Sequence, residues 1–294
     1  MSGAVQNSLA AQGPARRRRG SRPVGRAVLY LALIVVALIP LFPLYWLVIS
    51  SLKTPSEFSH IPPTWAPMHP TLDAIGNAFS AVPFLHGMLN SLVIAGCSTI
   101  AVCITSVLAG YVFAKYEFRG REVLFWGLVA TMFLPPIVTL VPLYVMIRSM
   151  GLDDSYLGVL LPWLANPFGI FLMRQFMADL PDELIEAARL DGASEFRIVW
   201  QLVMPLVSPA VITLALFQFV FCWNNFLWPL SVLKSQALYP VVLMLNQLMS
   251  YTMSVQYQNV VLAGALIASI PTLVLFLVSQ RVFVQGIAGS GVKG

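Results

Sequence analysis

Six stretches of this chain contain no Asp, Glu, Lys or Arg: residues 27–52, 74–114, 123–147, 155–173, 198–233 and 235–280. As a helix, about 20 apolar residues span the hydrocarbon core of a bilayer. Each of the first five runs has room for one crossing. The sixth is polar at its start (Gln247, Ser250, Tyr251, Gln256, Gln258, Asn259), which leaves only about 260–280 to cross. Charged residues make up 10% of the chain and hydrophobic ones 58%, where an ordinary soluble domain carries about 25% charge. A helix satisfies its backbone polar groups within its own segment, as hydrocarbon requires. The pattern therefore predicts an all-α membrane protein with six transmembrane helices.

Lys and Arg set which side each loop faces. With the N-terminus inside, the inner segments hold 14 of them: Arg16, Arg17, Arg18, Arg19, Arg22 and Arg26, then Lys115, Arg119 and Arg121, then Arg174, Arg189 and Arg197, then Arg281 and Lys293. The outer segments hold Lys53, Arg148 and Lys234. This asymmetry puts both termini on the cytoplasmic side. It also makes the net charge of +5 a membrane anchor signature and not a nucleic-acid footprint. Three regions follow: a disordered basic tail over 1–26, a six-helix domain over 27–284 and a cytoplasmic tail over 285–294. A cleaved signal peptide is the other reading of an Arg-rich start. It is disfavoured because the run 27–52 is long, holds Pro40 and Pro43, and lacks a small-x-small cleavage site.

Cys97, Cys103 and Cys222 fall inside spans at no metal-ligand spacing, and read as small core residues. His60, His69 and His86 share a Pro-rich outer loop, about 53–86, at irregular spacing, so no metal site is expected. Pro135, Pro136 and Pro142 interrupt the third run, Pro162 and Pro167 the fourth. Such breaks need neighbours or a water-filled cavity to take up the freed backbone groups. A pathway and simple packing kinks explain them equally well.

The charged segment between the fourth and fifth runs is the most distinctive. Pro181 suits the opening of a helix, Asp182 and Glu183 favour its first turn, and Gly192 suits the left-handed position that ends it. Ser194 is a candidate N-cap for a second helix running toward Trp200. Leu184, Ala187 and Ala188 share a face by i, i+3, i+4 spacing, apart from Asp182, Glu186 and Arg189. Small alanines permit close approach of a partner surface, and Glu186 can bond a donor in its groove. The alternative is a solvated interfacial helix in which Glu186 pairs with Arg189.

The rest of the chain lacks chemistry of its own. No Asp, Glu, Lys or Arg sits mid-span, where a proton- or ion-coupled carrier generally needs an ionisable group. No G-x-x-x-x-G-K-[ST], H-E-x-x-H or G-x-S-x-G motif occurs. Energy must come from outside the chain. In the fifth run, Gln218, Trp223, Asn224 and Asn225 offer the amides and aromatic faces that bind sugars. Amides also join neighbouring helices, and Trp collects at membrane interfaces.

Glu186-Ala187-Ala188, Gly192 and Leu202 to Pro205 resemble the EAA loop of permease subunits of bacterial ABC importers. Asn90-Ser91-Leu92, the run Tyr111 to Gly120, Leu180 to Leu184, Trp223-Asn224-Asn225 and the tail Gly291 to Gly294 look like the carbohydrate-uptake branch. From about residue 27 onward, the chain looks like the smaller inner-membrane permease subunit of maltose-type importers. The resemblance implies six transmembrane helices with a cytoplasmic helix-turn-helix coupling loop, in the bacterial plasma membrane. Glu186, Ala187, Ala188, Asp191 and Gly192 would seat in the cleft of an ATP-binding subunit. Implied partners are a second permease subunit, two ATP-hydrolysing subunits and an external substrate-binding protein, which the outer loop 231–259 would reach. The chain would hold no cofactor, catalyse no reaction and bind no nucleic acid. It would pass a sugar or oligosaccharide across the lipid; a solute such as glycerol phosphate is the alternative, ahead of a secondary carrier. A membrane scaffold without transport would leave the charged loop unexplained.

Overall fold

The computed structural model describes residues 23–251 and 257–290, with the side chains of residues 23, 24, 251 and 281–290 outside the description. Most of the expected tail 1–26, and the tail Gly291 to Gly294, lie outside the described residues.

Residues up to Trp46 form one unit and those from Leu47 a second. Helix α1, Pro23–Ser51, runs through the boundary. Its part in the first unit exposes Leu31, Leu33, Ile34, Val35 and Val36, which between them cover every side of the helix. A helix that is apolar all round belongs in lipid. Gly25–Ser51 is 27 residues, about 40 Å at 1.5 Å per residue, long enough to cross.

The second unit is built on α2, Phe84–Lys115. Around it come α3 (Arg121–Phe133), α4 (Pro136–Ser149), α5 (Tyr156–Trp163) and α6 (Pro167–Ala178). Further along are α7 (Asp182–Leu190), α8 (Glu195–Leu206), α9 (Ser208–Trp223), α10 (Leu227–Val232), α11 (Val241–Tyr251) and α12 (Gln258–Ser290). The backbone of α12 thus stays helical past residue 284. Helix α2 packs along α6, α9 and α11. At the α2–α6 crossing a Cβ on Gly110 would collide with Met173, and one on Gly169 with Ser106. Helices in lipid associate where small residues allow such close backbone approach.

Helices α1, α2 and α12 are long and apolar enough to cross alone. The pairs α3–α4, α5–α6 and α8–α9 bend by 105°, 41° and 84°, and counting each pair as one crossing gives six. Proline explains the first two breaks. Leu134 and Pro135 are extended, with ψ 122° and 131°, as residues before proline prefer. Asn166 caps α6, its Oδ1 accepting from Phe168 N at 2.9 Å and Gly169 N at 3.3 Å, with Pro167 in the first turn. Pro142, expected to break the third run, lies within α4. The run 198–233 is likewise not one straight crossing: residues up to Leu206 belong to α8, and the apolar span restarts at Ser208.

At the far end of α2 from Lys115, Asn90 Nδ2 donates to the carbonyls of Ala237 (2.8 Å) and Tyr239 (2.9 Å). Ser91 Oγ accepts from Val241 N at 2.8 Å. Tyr156 completes the knot by donating to Asn90 Oδ1 at 2.8 Å. Nearby, Asp154 accepts from Lys234 N and Ser235 N, at 2.8 and 2.9 Å.

Candidate functional site

The segment between α6 and α9 folds as two helices about a glycine turn. Pro181, with φ −59° and ψ 131°, is the cap residue, and α7 starts one position later than its sequence suggested, at Asp182. At the far end Gly192 N donates to Arg189 O and Ala193 N to Ala188 O, both at 3.0 Å. This is the double closure of a Schellman motif. It needs a left-handed residue, and Gly192 has φ +80°. Ser194 caps α8, its Oγ accepting from Arg197 N at 3.4 Å. Within α8 the residues Ile198–Val203 form a π-turn. Pro205, which has no N–H to offer Gln201, follows it.

Three sets of contacts hold the pair against the bundle. Ile185 is 3% exposed, in a core cluster with Val107, Met173, Met177, Ile198 and Val203, and Ala188 and Ala193 pack on that cluster. Lys115 Nζ, at the end of α2, donates to Leu180 O and Asp182 Oδ1, each at 2.6 Å. Arg189 Nε donates to Glu195 Oε1 at 2.7 Å, and Tyr111 OH to Glu195 Oε2 at 2.9 Å. The Arg189 guanidinium also lies 5.5 Å from the Tyr116 ring centre. The Arg189 hydrogen bond pulls the Glu195 carboxyl down to about 2, against a smaller opposing effect of burial.

The alternative of a solvated helix loses its ion pair, and one expectation changes. Arg189 bridges the two helices to Glu195 instead of pairing with Glu186 within one turn. The inward face is Ile185 with Ala188, while Leu184 and Ala187 face outward. The outward side therefore presents Leu184, Glu186, Ala187, Leu190, Asp191, Gly192 and Phe196, all exposed. Leu190 is 89% exposed and Phe196 70%, large values for apolar side chains on a charged segment. Glu186 has no ion-pair partner among the described residues.

The four polar candidates of the fifth run separate. Gln218 is 2% exposed. Its Nε2 donates to Ser98 Oγ (2.9 Å) and Cys222 Sγ (3.3 Å), and its Oε1 accepts from Asn166 Nδ2 (2.9 Å). It joins α2, α9 and the break before α6. Trp223 is buried, stacked on Phe219, and donates from Nε1 to Ala268 O at 3.0 Å. Both are occupied in holding helices together. Asn224 and Asn225 instead line a cavity of about 460 Å³. The breaks between α3 and α4, α5 and α6, and α9 and α10 each send residues into its wall: Pro136, Trp163, and Asn224 to Phe226. Sequence reasoning missed Trp163 and Thr139 there, and also Lys115. Among the described residues no three His, Cys, Asp or Glu side chains converge on a metal-sized space.

Residues 106–289 match the family of binding-protein-dependent transport system inner membrane components. The chain is 33% identical over 282 residues to the arabinooligosaccharides transport system permease protein AraQ of Bacillus subtilis, covering 92% of this chain and 97% of that protein. It is 33% identical over 269 residues to the sn-glycerol-3-phosphate transport system permease protein UgpE of Yersinia pestis, covering 89% and 95%. A bacterial ABC transporter that imports the acidic polysaccharide alginate has a chain of similar fold. The TM-score is 0.79 at 23% identity, over 88% of this chain and 96% of that one.

Proposed function

Because the chain belongs to the family of binding-protein-dependent transport system inner membrane components, we propose that it is one permease half of an ATP-driven importer for a sugar or oligosaccharide. It is a multi-pass membrane transport component and not an enzyme. A substrate-binding protein delivers the solute from outside, and two ATP-hydrolysing subunits dock inside, on the cytoplasmic face. The second permease half is a related subunit.

The observation that carries this reading is the outward side of α7 and α8. The helix pair is fastened inward by Ile185 and Lys115, and turns Glu186, Leu190 and Phe196 to the outside. Exposed apolar side chains beside a carboxylate suit a protein groove that offers a cation or backbone donors. When ATP draws the two nucleotide-binding subunits together, that groove carries α7 and α8 with it. The fastening to α2 and α6 then moves the bundle from inward- to outward-facing. Arabinooligosaccharide transport by the AraQ relative supports the sugar assignment. UgpE at equal identity makes glycerol phosphate the competing solute.

The test is co-purification of the ATPase subunits with the permease pair from detergent. Glu186→Ala should weaken association by about 1–3 kcal/mol, the cost of a partner donor left unpaired. Unchanged yield together with unchanged substrate-stimulated ATP hydrolysis would sink the docking assignment.

A further inference from the structure

The loop that follows α1 folds around its own charges and leaves apolar side chains exposed. Lys53 is 1% exposed, where lysine is almost never found unless paired, and its Nζ donates to Thr64 O. Glu57 is the one Asp, Glu, Lys or Arg between Thr54 and Leu72. Its carboxylate turns onto the loop, accepting from Thr64 Oγ1 at 3.1 Å, Met68 N at 2.7 Å and His69 N at 3.5 Å. Both charges of the segment are thus bonded within it. The ends are tied as well. Thr71 N donates to Leu52 O, and Asn259 Nδ2 to Lys53 O, both at 2.9 Å. Of the apolar side chains on this framework Ile61 is 88% exposed, and Trp65, Met68 and Leu72 are exposed too. Large apolar side chains exposed together mark a surface that meets a partner.

We infer that this loop is an interfacial anchor, with Ile61, Trp65, Met68 and Leu72 seated among the lipid headgroups and upper acyl carbons, and with Glu57 as the hub that holds them there. The leaflet is the one at this end of α1, the outer one by the Lys and Arg asymmetry. Position supports it. The apolar span Gly25–Ser51 ends just before Lys53, and the span Gln258–Gln280 begins just before Asn259. Tied to both, the base of the loop stands at the depth where the chain leaves hydrocarbon. Tryptophan collects at that depth, and interfacial segments bind in proportion to the apolar area they bury. Pro62, Pro63, Pro67 and Pro70 suit the place, since proline has no N–H to satisfy where water is sparse. A soluble protein docking here would be selected by complementary charge, and the loop offers no Asp, Glu, Lys or Arg that is not already bonded inside it. A bilayer requires none. The inference goes beyond the importer reading and needs only that α1 and α12 cross the membrane.

The experiment uses the whole importer, purified and set in nanodiscs of phosphatidylethanolamine and phosphatidylglycerol. Nitroxide labels are attached to Ile61→Cys, Met68→Cys or Leu72→Cys, each in a background where Cys97, Cys103 and Cys222 are replaced. Oxygen concentrates in lipid and a neutral nickel chelate in water, so the ratio of their collision rates with a label reads its surroundings. The ratio should favour oxygen at these positions, and an excess of the importer's binding protein should leave it so. A ratio favouring the chelate would put the loop in water and overturn the inference. Low rates for both reagents at an immobilised label would put a protein against the loop, either the second permease half or a docked binding protein, and would overturn it equally. Glu57→Ala, made in the same labelled proteins, should raise label mobility and lower the preference for oxygen. Unaltered spectra there would overturn the hub role of Glu57. None of these readings depends on transport; uptake that survives depletion of ATP would instead refute the importer reading.

Discussion

Lys115→Met removes the contact that fastens the first helix of the α7–α8 pair to the end of α2. The Lys115 side chain is 5% exposed, whereas that of Asp182 is 74% exposed. The two hydrogen bonds therefore carry unequal weight. The Asp182 bond is a surface ion pair worth about 0–1 kcal/mol. The bond to Leu180 O joins a charged donor to a sheltered carbonyl, a class worth about 1.5–3 kcal/mol. Together the loss is about 2–3 kcal/mol, confined to local detachment of α7. At about 1.4 kcal/mol per tenfold, amide hydrogen exchange over 182–191 in the purified complex should quicken by roughly 30- to 150-fold. Exchange in the α2–α6 core should stay as it was. Asp182→Asn keeps the carbonyl bond and should change exchange by less than about fivefold. ATP-driven uptake should fall in Lys115→Met more than in Asp182→Asn. Equal effects of the two substitutions, or unaltered exchange in Lys115→Met, would refute the claim that the Leu180 carbonyl is the principal anchor.

Other outcomes follow from the same geometry. Gln218→Leu should lower the Tm of the detergent-purified complex, since its loss leaves Asn166 Nδ2 and Ser98 Oγ without that partner, at about 1–3 kcal/mol. It should leave the KM for substrate near wild type, which would separate a structural from a ligand-binding Gln218. The depressed Glu195 carboxyl means that its bond to Arg189 is fully present above the ordinary glutamate range and is lost only as pH falls toward about 2. Arg189→Gln should move acid release of α7, followed by limited proteolysis, to higher pH, and an unmoved midpoint would contradict the pairing. Single cysteines at Ser8, Ser194 and Ser250, in a background where Cys97, Cys103 and Cys222 are replaced, test orientation on intact cells. A membrane-impermeant thiol reagent should label Ser250 alone; labelling at Ser194 would invert the topology and remove the loop from the ATPases.

Much of this was legible beforehand, for identifiable reasons. Spans show in a sequence because hydrocarbon excludes charge along a whole segment, and proline and glycine act on their own backbone. Hence the six crossings, the break at Pro135-Pro136 and the left-handed Gly192 were all readable. The alternative pairing that fails and the misplaced Leu184 share another cause. Helical spacing pairs Arg189 with Glu186, three residues away, but the Gly192 turn folds α8 back and delivers Glu195. Spacing also put Leu184 on the apolar face, yet in a nine-residue helix the inward side is chosen by the core it meets, and that core takes Ile185. Lys115, Asn166 and Trp163 owe their roles to contacts across distant segments, or to a cavity, and no local rule marks them.

Helix α2 holds a different kind of grip at each end. Asn90 and Ser91 hold the loop around 237–241, and 25 residues along, Lys115 holds the start of α7. At 1.5 Å per residue the two grips stand about 37 Å apart, joined by one unbroken helix that no proline interrupts. Such an element acts as a push-rod: it has little compliance along its axis, so a displacement at one end must appear at the other. Thermodynamic linkage then makes the traffic two-way. In the importer proposed above, whatever free energy the nucleotide state spent on the affinity of the outer face, a loaded binding protein on that face would return, in equal measure, to the nucleotide state.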